Sequence, residues 1–136
     1  MDTRTDIRVH FYDTDTMAVV HHSNYIRWFE IGRVEFLRSA DITLNELMEA
    51  GFVFPITEVK AKYHAPAQFD DELVIITHPE ALTKAKMAFS YEIRRKEDNT
   101  LCVTGFTQNV FTDKASGKIT RLPEVYAAKL QAAMNR

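Results

Sequence analysis

Cysteine, glycine and proline are scarce in this sequence. One cysteine, Cys102, four glycines and four prolines occur among 136 residues. A single cysteine cannot form an internal disulfide, which favours a reducing compartment. The chain offers no glycine-rich phosphate loop and no Gly-x-Ser-x-Gly nucleophile elbow. It also lacks a signal-peptide core and any apolar run of membrane-spanning length, so we expect a cytoplasmic protein without a membrane span.

Neither sign of charge dominates the chain. Seventeen basic and 19 acidic residues give a net charge of -2, and no basic block stands out. This balance gives no sign of a nucleic-acid partner, and none is predicted. Hydrophobic residues make up 46% and charged residues 26%, as in a soluble globular protein. We predict a single domain over residues 1–136.

The first 24 residues are predicted to form a strand and a polar loop. Residues 7–11 alternate between apolar and polar side chains, the period of a strand with one buried face. Residues 12–24 are rich in Asp, Thr and His, and they end in Ser23-Asn24, which predicts a helix cap.

Two helices are predicted next. Residues 25–40 are apolar over most of a helical circumference, so this long helix is expected to be largely buried. Thr43 is expected to cap a short helix at residues 44–50, with Gly51 in a left-handed exit.

The remainder of the chain is predicted to be mostly β. Its strand candidates, rich in β-branched and aromatic residues, are 53–64, 73–77, 86–96 and 101–112. Breaks are expected at Pro66 and Pro79, and turns at residues 97–99 and 113–118. Pro123 can begin a terminal amphipathic helix. One buried helix against a mostly antiparallel sheet predicts an α+β domain.

The polar loop is the segment densest in reactive groups, with Asp13, Asp15, His21 and His22. A carboxylate there can act as general base or as nucleophile on an activated carbonyl. Unpaired amides at the following helix start can hold a developing oxyanion. Asp and Asn in a loop before a helix are more often plain caps, and Asp13 in particular is expected only to cap a turn.

A metal site is the second interpretation of this loop, with His10 added to the ligand pool. No two histidines have the i, i+4 spacing of familiar zinc sites, and the adjacent His21-His22 pair would point apart in regular structure. No metal is therefore predicted. Cys102 lies within a predicted strand, where a buried, inert thiol is expected.

A recognisable pattern of motifs runs over nearly the whole chain. Its segments are Arg8-Val9, Thr14-Asp15-x-x-Ala18-Val19-Val20-x-His22-x-x-Tyr25, Trp28-Phe29-Glu30, Arg33, Tyr63-His64-Ala65-Pro66-Ala67 and Asp70-Asp71-x-Leu73. In these segments the sequence resembles the 4-hydroxybenzoyl-CoA thioesterase family, and within it the Tol-Pal-associated acyl-CoA thioesterases. The resemblance implies a hotdog fold, in which a curved antiparallel β-sheet wraps around one long central helix.

The resemblance also implies roles for individual residues. Asp15 matches the catalytic carboxylate, and Asp13 matches a less critical neighbour. His22 matches a catalytic position whose backbone amide binds the thioester carbonyl, with the imidazole assisting in some members. The predicted substrate-binding residues at the helix start are Ser23, Asn24 and the aromatic anchor Tyr25.

The activity implied is hydrolysis of an acyl-CoA thioester to a carboxylic acid and free CoA. Coenzyme A is part of the substrate, so no cofactor is predicted. Proteins of this family pair edge to edge, which implies a homodimer or a homotetramer built as a dimer of dimers.

Ala18 departs from the family pattern, which has glycine at this position. If that glycine has positive φ, alanine costs about 1 kcal/mol or shifts the loop. A non-catalytic acyl-CoA-binding or sensing module on the same fold therefore stays open as the alternative function. A hotdog dehydratase ranks last, because no histidine is followed by the proline-rich stretch of such enzymes.

Overall fold

The computed structural model describes residues 2–136 as strands around one long helix. The strands are β1 (Thr3–Arg8), β2 (Phe52–Val53), β3 (Ile56–Tyr63), β4 (Glu72–Leu82), β5 (Lys86–Arg95), β6 (Leu101–Val110) and β7 (Thr112–Asp113). The helices are α1 (His22–Ser39), α2 (Leu44–Glu49) and α3 (Glu124–Met134), with a 3-10 turn at Phe11–Asp13.

Five of the strands form one antiparallel sheet in the order β1-β4-β5-β6-β3, and β2 pairs with β7 in a separate ribbon. The long helix α1 contacts four strands of the main sheet, β1, β4, β5 and β6. This arrangement confirms the predicted α+β class and the predicted hotdog fold. The strand β3 lies at one edge of the sheet and β1 at the other.

The start of α1 differs from the prediction. The helix begins at His22 rather than at residue 25, and Ser23-Asn24 lie in its first turn instead of capping it. His21 is the cap, because its Nδ1 atom accepts a hydrogen bond from the N–H of Ser23 at 3.2 Å. Histidine is not among the preferred N-cap residues, whereas Ser and Asn are, which explains the shifted prediction.

One face of α1 is buried and the other is open. Phe29 and Phe36 on the inner face are fully enclosed, whereas Ile26 and Ile31 are exposed. The helix is therefore less enclosed than its apolar composition predicted.

Two glycines set how closely α1 approaches the sheet. A Cβ atom on Gly32 would overlap the side chain of Thr77 on β4, and one on Gly105 of β6 would overlap the ring of Phe29. Phe29 instead stacks on Tyr91 with ring centroids 4.5 Å apart. Because a side chain at either glycine would push the layers apart, both positions fix the height of α1 over the sheet.

The first strand lies earlier than residues 7–11. In β1 the half-buried residues alternate with exposed ones, and two of the three inner positions are threonines, Thr3 and Thr5, followed by Ile7. Polar threonines on the inner face hide the apolar alternation that identifies a strand. Phe11, predicted to be in the strand, begins the 3-10 turn instead and is exposed.

Two prolines explain the other strand corrections. Pro79 was predicted to break the chain, yet β4 continues through it, with a register irregularity between Pro79 and Ala81. The pairing with β1 starts at Thr3 opposite Thr77, so Pro79 lies beyond it, at a sheet edge where proline is tolerated. Pro55, in contrast, separates β2 from β3 within the predicted strand 53–64.

The predicted strand 101–112 is interrupted at Phe111, between β6 and β7. Several other local predictions are confirmed. Thr43 and Glu46 form a complete capping box at α2, and Gly51 follows it with a φ of 93°. The turn after β5 contains Asn99 in the left-handed region, with a φ of 58°. Pro123 is the N-cap of α3.

Candidate active site

The polar loop before α1 contains a short hairpin, in which Thr14 pairs with Val20 and Asp15 begins the turn. The N–H of Asp15 donates to the Val19 carbonyl at 2.9 Å, and the N–H of Ala18 donates to the Asp15 carbonyl at 3.0 Å. The Oδ1 atom of Asp15 accepts from the N–H of Met17 at 2.8 Å. These bonds hold one carboxylate oxygen to the turn, while no residue between 2 and 136 donates to the other.

Ala18 occupies the position in this turn that needs a left-handed conformation. Its φ is 64°, so the condition under which alanine was expected to cost energy is met. The turn nevertheless closes its backbone hydrogen bonds around Asp15. The chain therefore accepts local strain at Ala18 instead of opening the loop.

Asp13 has a structural position, as expected. It is buried, and its Oδ2 atom accepts from the N–H of His10 at 2.8 Å, which caps the 3-10 turn. Its carbonyl accepts from the N–H of His21 at 2.9 Å and from the amide of Asn24 at 2.8 Å. Asp13 thereby joins the loop to the first turn of α1.

The first turn of α1 leaves one amide open. The N–H of Ser23 donates to His21 Nδ1, and that of Asn24 donates to the His21 carbonyl at 3.0 Å. The N–H of His22, the first helical residue, has no acceptor within the part of the chain that the structure describes. Of the amides of His22, Ser23 and Asn24 at the helix start, only that of His22 is therefore free to bind a carbonyl oxygen.

A cleft of about 320 Å³ lies between this loop, the start of α1 and the end of β3. Its lining residues are Asp15, Val20, His22, Tyr25, Tyr63, His64, Ala65 and Pro66. Three of the sequence-predicted site residues, Asp15, His22 and Tyr25, thus meet at one cleft. Ser23 and Asn24 do not line it, because the Ser23 hydroxyl bonds to His21 and the Asn24 side chain is buried against Asp13.

The opposite wall of the cleft holds the helix start in place. The Tyr63 hydroxyl donates to the His22 carbonyl at 3.2 Å, and its ring lies 5.6 Å from that of Tyr25. The Tyr25 hydroxyl accepts from the N–H of Ala67 at 3.1 Å, and burial raises the pKa of Tyr25, so this hydroxyl keeps its proton at neutral pH. In the sequence Tyr63 is marked only by a matching motif, and its position in the cleft wall follows from strand β3.

His21 and His22 do not lie in one regular element, which was the condition under which they were expected to point apart. Their rings stack with centroids 4.1 Å apart, because His21 is an extended cap residue and His22 is already helical. The stacking creates no ligand set, and no group of three His, Cys, Asp or Glu residues between 2 and 136 could hold a metal ion. Cys102 is fully buried as expected, and burial raises the pKa of its thiol.

No helix within residues 2–136 is both long and apolar enough to cross a membrane.

The chain matches known proteins over nearly its whole length. The sequence model of the thioesterase-like superfamily matches residues 9–130. Acyl-CoA thioester hydrolase YbgC of Escherichia coli is 30% identical over 94% of this chain and 95% of that protein. The crystal structure of hypothetical protein TT1821 from Thermus thermophilus has a TM-score of 0.89 at 30% identity, covering 98% of both chains. Slr0204, a 1,4-dihydroxy-2-naphthoyl-CoA thioesterase from Synechocystis, shares the fold, with a TM-score of 0.88 at 21% identity over 99% of this chain and 96% of that one.

Proposed function

Because the chain belongs to the thioesterase-like superfamily, we propose that it hydrolyses an acyl-CoA thioester to a carboxylic acid and free CoA. The observation that carries the proposal is that Asp15 and His22 line the same cleft, and that the N–H of His22 has no acceptor among residues 2–136. A base or nucleophile beside an oxyanion donor is the minimum that acyl transfer requires.

In the proposed reaction the thioester carbonyl oxygen accepts a hydrogen bond from the N–H of His22. This amide lies at the positive end of α1, where it stabilises the negative charge that develops on the oxygen. The contacts from Tyr63 and Tyr25 fix the helix start, so the donor needs little reorganisation during the reaction. His22 is exposed and lines the cleft, and in the proposal its imidazole assists substrate binding.

Asp15 supplies the attacking group by one of two routes. As a nucleophile it forms a mixed anhydride with the acyl group and expels CoA as thiolate, and water then hydrolyses the anhydride. As a general base it removes a proton from a water molecule, which attacks the carbonyl directly. Rapid-quench analysis of a single turnover separates the two, since only the anhydride route releases free thiol before the carboxylic acid appears.

The proposed working unit is a homodimer, alone or within a homotetramer. The edge strand β3 pairs with β6 on one side and has no strand of residues 2–136 on the other. Ile56, Val59 and Tyr63 of this strand are exposed large apolar or aromatic side chains that a partner could cover. Unpaired edges are normally covered, and a second β3 would cover this one and extend the cleft beside Tyr63.

The test is a panel of acyl-CoA substrates, each assayed both for binding and for release of free thiol. For at least one acyl class, we expect each chain to release many equivalents of free thiol. Tight binding of acyl-CoA without thiol release from any member of the panel would contradict hydrolysis and support the acyl-CoA-binding alternative.

A further inference from the structure

Arg33 is a buried cation that lacks an anionic partner in its own chain. The residue is 6% exposed, and its Nη1 atom donates one long hydrogen bond, 3.4 Å, to the hydroxyl of Thr107. That hydroxyl also bonds to Tyr91 at 2.6 Å. No carboxylate of residues 2–136 forms an ion pair with the guanidinium. Removing a charge from water without a counter-charge is costly, so a partner from outside the chain is expected.

The surroundings of Arg33 indicate from which side that partner comes. Thr107 pairs in register with Val59 on the edge strand β3, so Arg33 lies on the side of α1 that faces the open sheet edge. Ile26 and Glu30 precede Arg33 by seven and three residues and therefore share this flank of the helix. Ile26 on this flank and Val59 on β3 are both apolar and exposed, by 36% and 39%, so the flank has apolar surface that a partner can cover.

Glu30 is the one acid of α1 on this flank. It is exposed and makes neither an ion pair nor a side-chain hydrogen bond with residues 2–136. Although Glu30 and Arg33 are i, i+3 neighbours, the guanidinium turns inward to Thr107. Farther along α1 the same spacing does produce a pair, between Glu35 and Arg38.

We infer that a second copy of this chain docks on this flank and brings its Glu30 carboxylate to Arg33. In a two-fold dimer joined at β3, the two α1 helices run antiparallel across the axis. Glu30 and Arg33 are about one helical turn apart, so an axis passing between them sets each residue opposite the other type in the second copy. Two identical ion pairs result, and the apolar residues beside them are covered at the same time.

This inference rests on the proposed dimer and is independent of hydrolysis. It makes Glu30 and Arg33 determinants of association that lie apart from the cleft, since neither lines it. It also explains why a charged residue occupies a position that the single chain leaves without a counter-charge.

The test is sedimentation velocity of the full chain over nanomolar to micromolar concentrations. We expect the wild-type protein to dimerise, and Glu30→Gln and Arg33→Met each to raise the dimer dissociation constant at least tenfold. Glu35→Gln is the matched control, because this acid of the same helix already pairs within its own chain. It should leave the dissociation constant within about twofold of wild type.

A charge exchange sharpens the test. Glu30→Lys and Arg33→Glu each create two like-charged contacts in their homodimers, whereas a heterodimer of the two variants contains two opposite-charged contacts. An equimolar mixture should therefore dimerise although each variant alone does not. If Arg33→Glu fails to fold, the inference is still tested by comparing the dimer dissociation constant of Glu30→Gln, an exposed substitution, with that of the control Glu35→Gln.

Wild-type dimer affinity in Glu30→Gln, or a mixture that associates no better than its components, would overturn the inference. A wild-type monomer would overturn both the dimer and the ion pair. A wild-type protein that dimerises as expected but releases no thiol contradicts only the proposed activity.

Discussion

Replacing Ala18 with glycine should stabilise the protein. Ala18 has a φ of 64°, and an L-residue in the left-handed region costs about 1–2 kcal/mol that glycine does not. Glycine in turn loses about 0.4–1 kcal/mol more conformational entropy on folding. The difference predicts a net gain of about 0.5–1 kcal/mol, or about 2–4 °C in Tm for a chain of this length.

The chain contains its own controls for this substitution. Gly117, with a φ of 72°, ends a similar aspartate-led turn after β7, and there the left-handed position already carries glycine. Ala115 is exposed in that same turn and does not have positive φ. Ala115→Gly should therefore only lose entropy and destabilise by about 0.4–1 kcal/mol.

The assay is thermal and urea unfolding of the wild-type protein, Ala18→Gly and Ala115→Gly side by side. A fall in Tm for Ala18→Gly as large as that for Ala115→Gly would refute the assignment of strain. Thioester hydrolysis by Ala18→Gly should stay within about twofold of wild type, because the turn around Asp15 already forms its hydrogen bonds.

Four further predictions concern packing, reactivity, metal independence and acid stability. Gly32→Ala should lower the free energy of unfolding by about 1–3 kcal/mol in urea titrations, since its Cβ atom would overlap Thr77. Cys102 should react with a disulfide reagent only after unfolding, because it is fully buried and burial raises its pKa, so it adds no background to thiol-release assays. Turnover should survive exhaustive chelation with EDTA; loss of turnover restored by one added metal would contradict the proposed metal-free reaction. The hydrogen bond from Arg95 lowers the pKa of Asp98 to about 2, so this carboxylate contributes stability above pH 3.8 and loses it as the pH falls towards 2. The stability difference between wild type and Asp98→Asn should therefore be constant near neutral pH and shrink over that acidic range.

The element order and the fold class were predictable because they depend on patterns that the sequence carries directly. The apolar run of α1, the capping residue Thr43 and the turn residue Gly51 each specify local structure with little help from the rest of the chain. The errors lie where tertiary contacts decide. Pro79 continues a strand only because β1 ends before reaching it, and a single strand's sequence does not show where its neighbour ends.

The site could be predicted in part. Asp15, His22 and Tyr25 lie within eleven residues of one another, so a local motif was enough to select them, and the cleft brings them together. Ser23 and Asn24 fit the same motif, but their bonds to His21 and Asp13 follow from a cap that begins at an unexpected residue. Tyr63 reaches the site from a distant strand, so no spacing in the sequence indicates its contact with the His22 carbonyl.

The measurement that tests the central claim most directly is thioester turnover by Asp15→Asn beside Asp13→Asn. Asparagine keeps the Oδ1 atom that accepts from Met17, so the turn should persist and unfolding should be little changed. Loss of the carboxylate removes both the basic and the nucleophilic form, and hydrolysis of the best acyl-CoA should fall by about 10²–10⁴-fold with thioester binding retained. Asp13→Asn should instead lower stability more than turnover, since its buried carboxylate caps the 3-10 turn. Near-wild-type turnover by folded Asp15→Asn, or a larger loss of turnover in Asp13→Asn, would contradict the account.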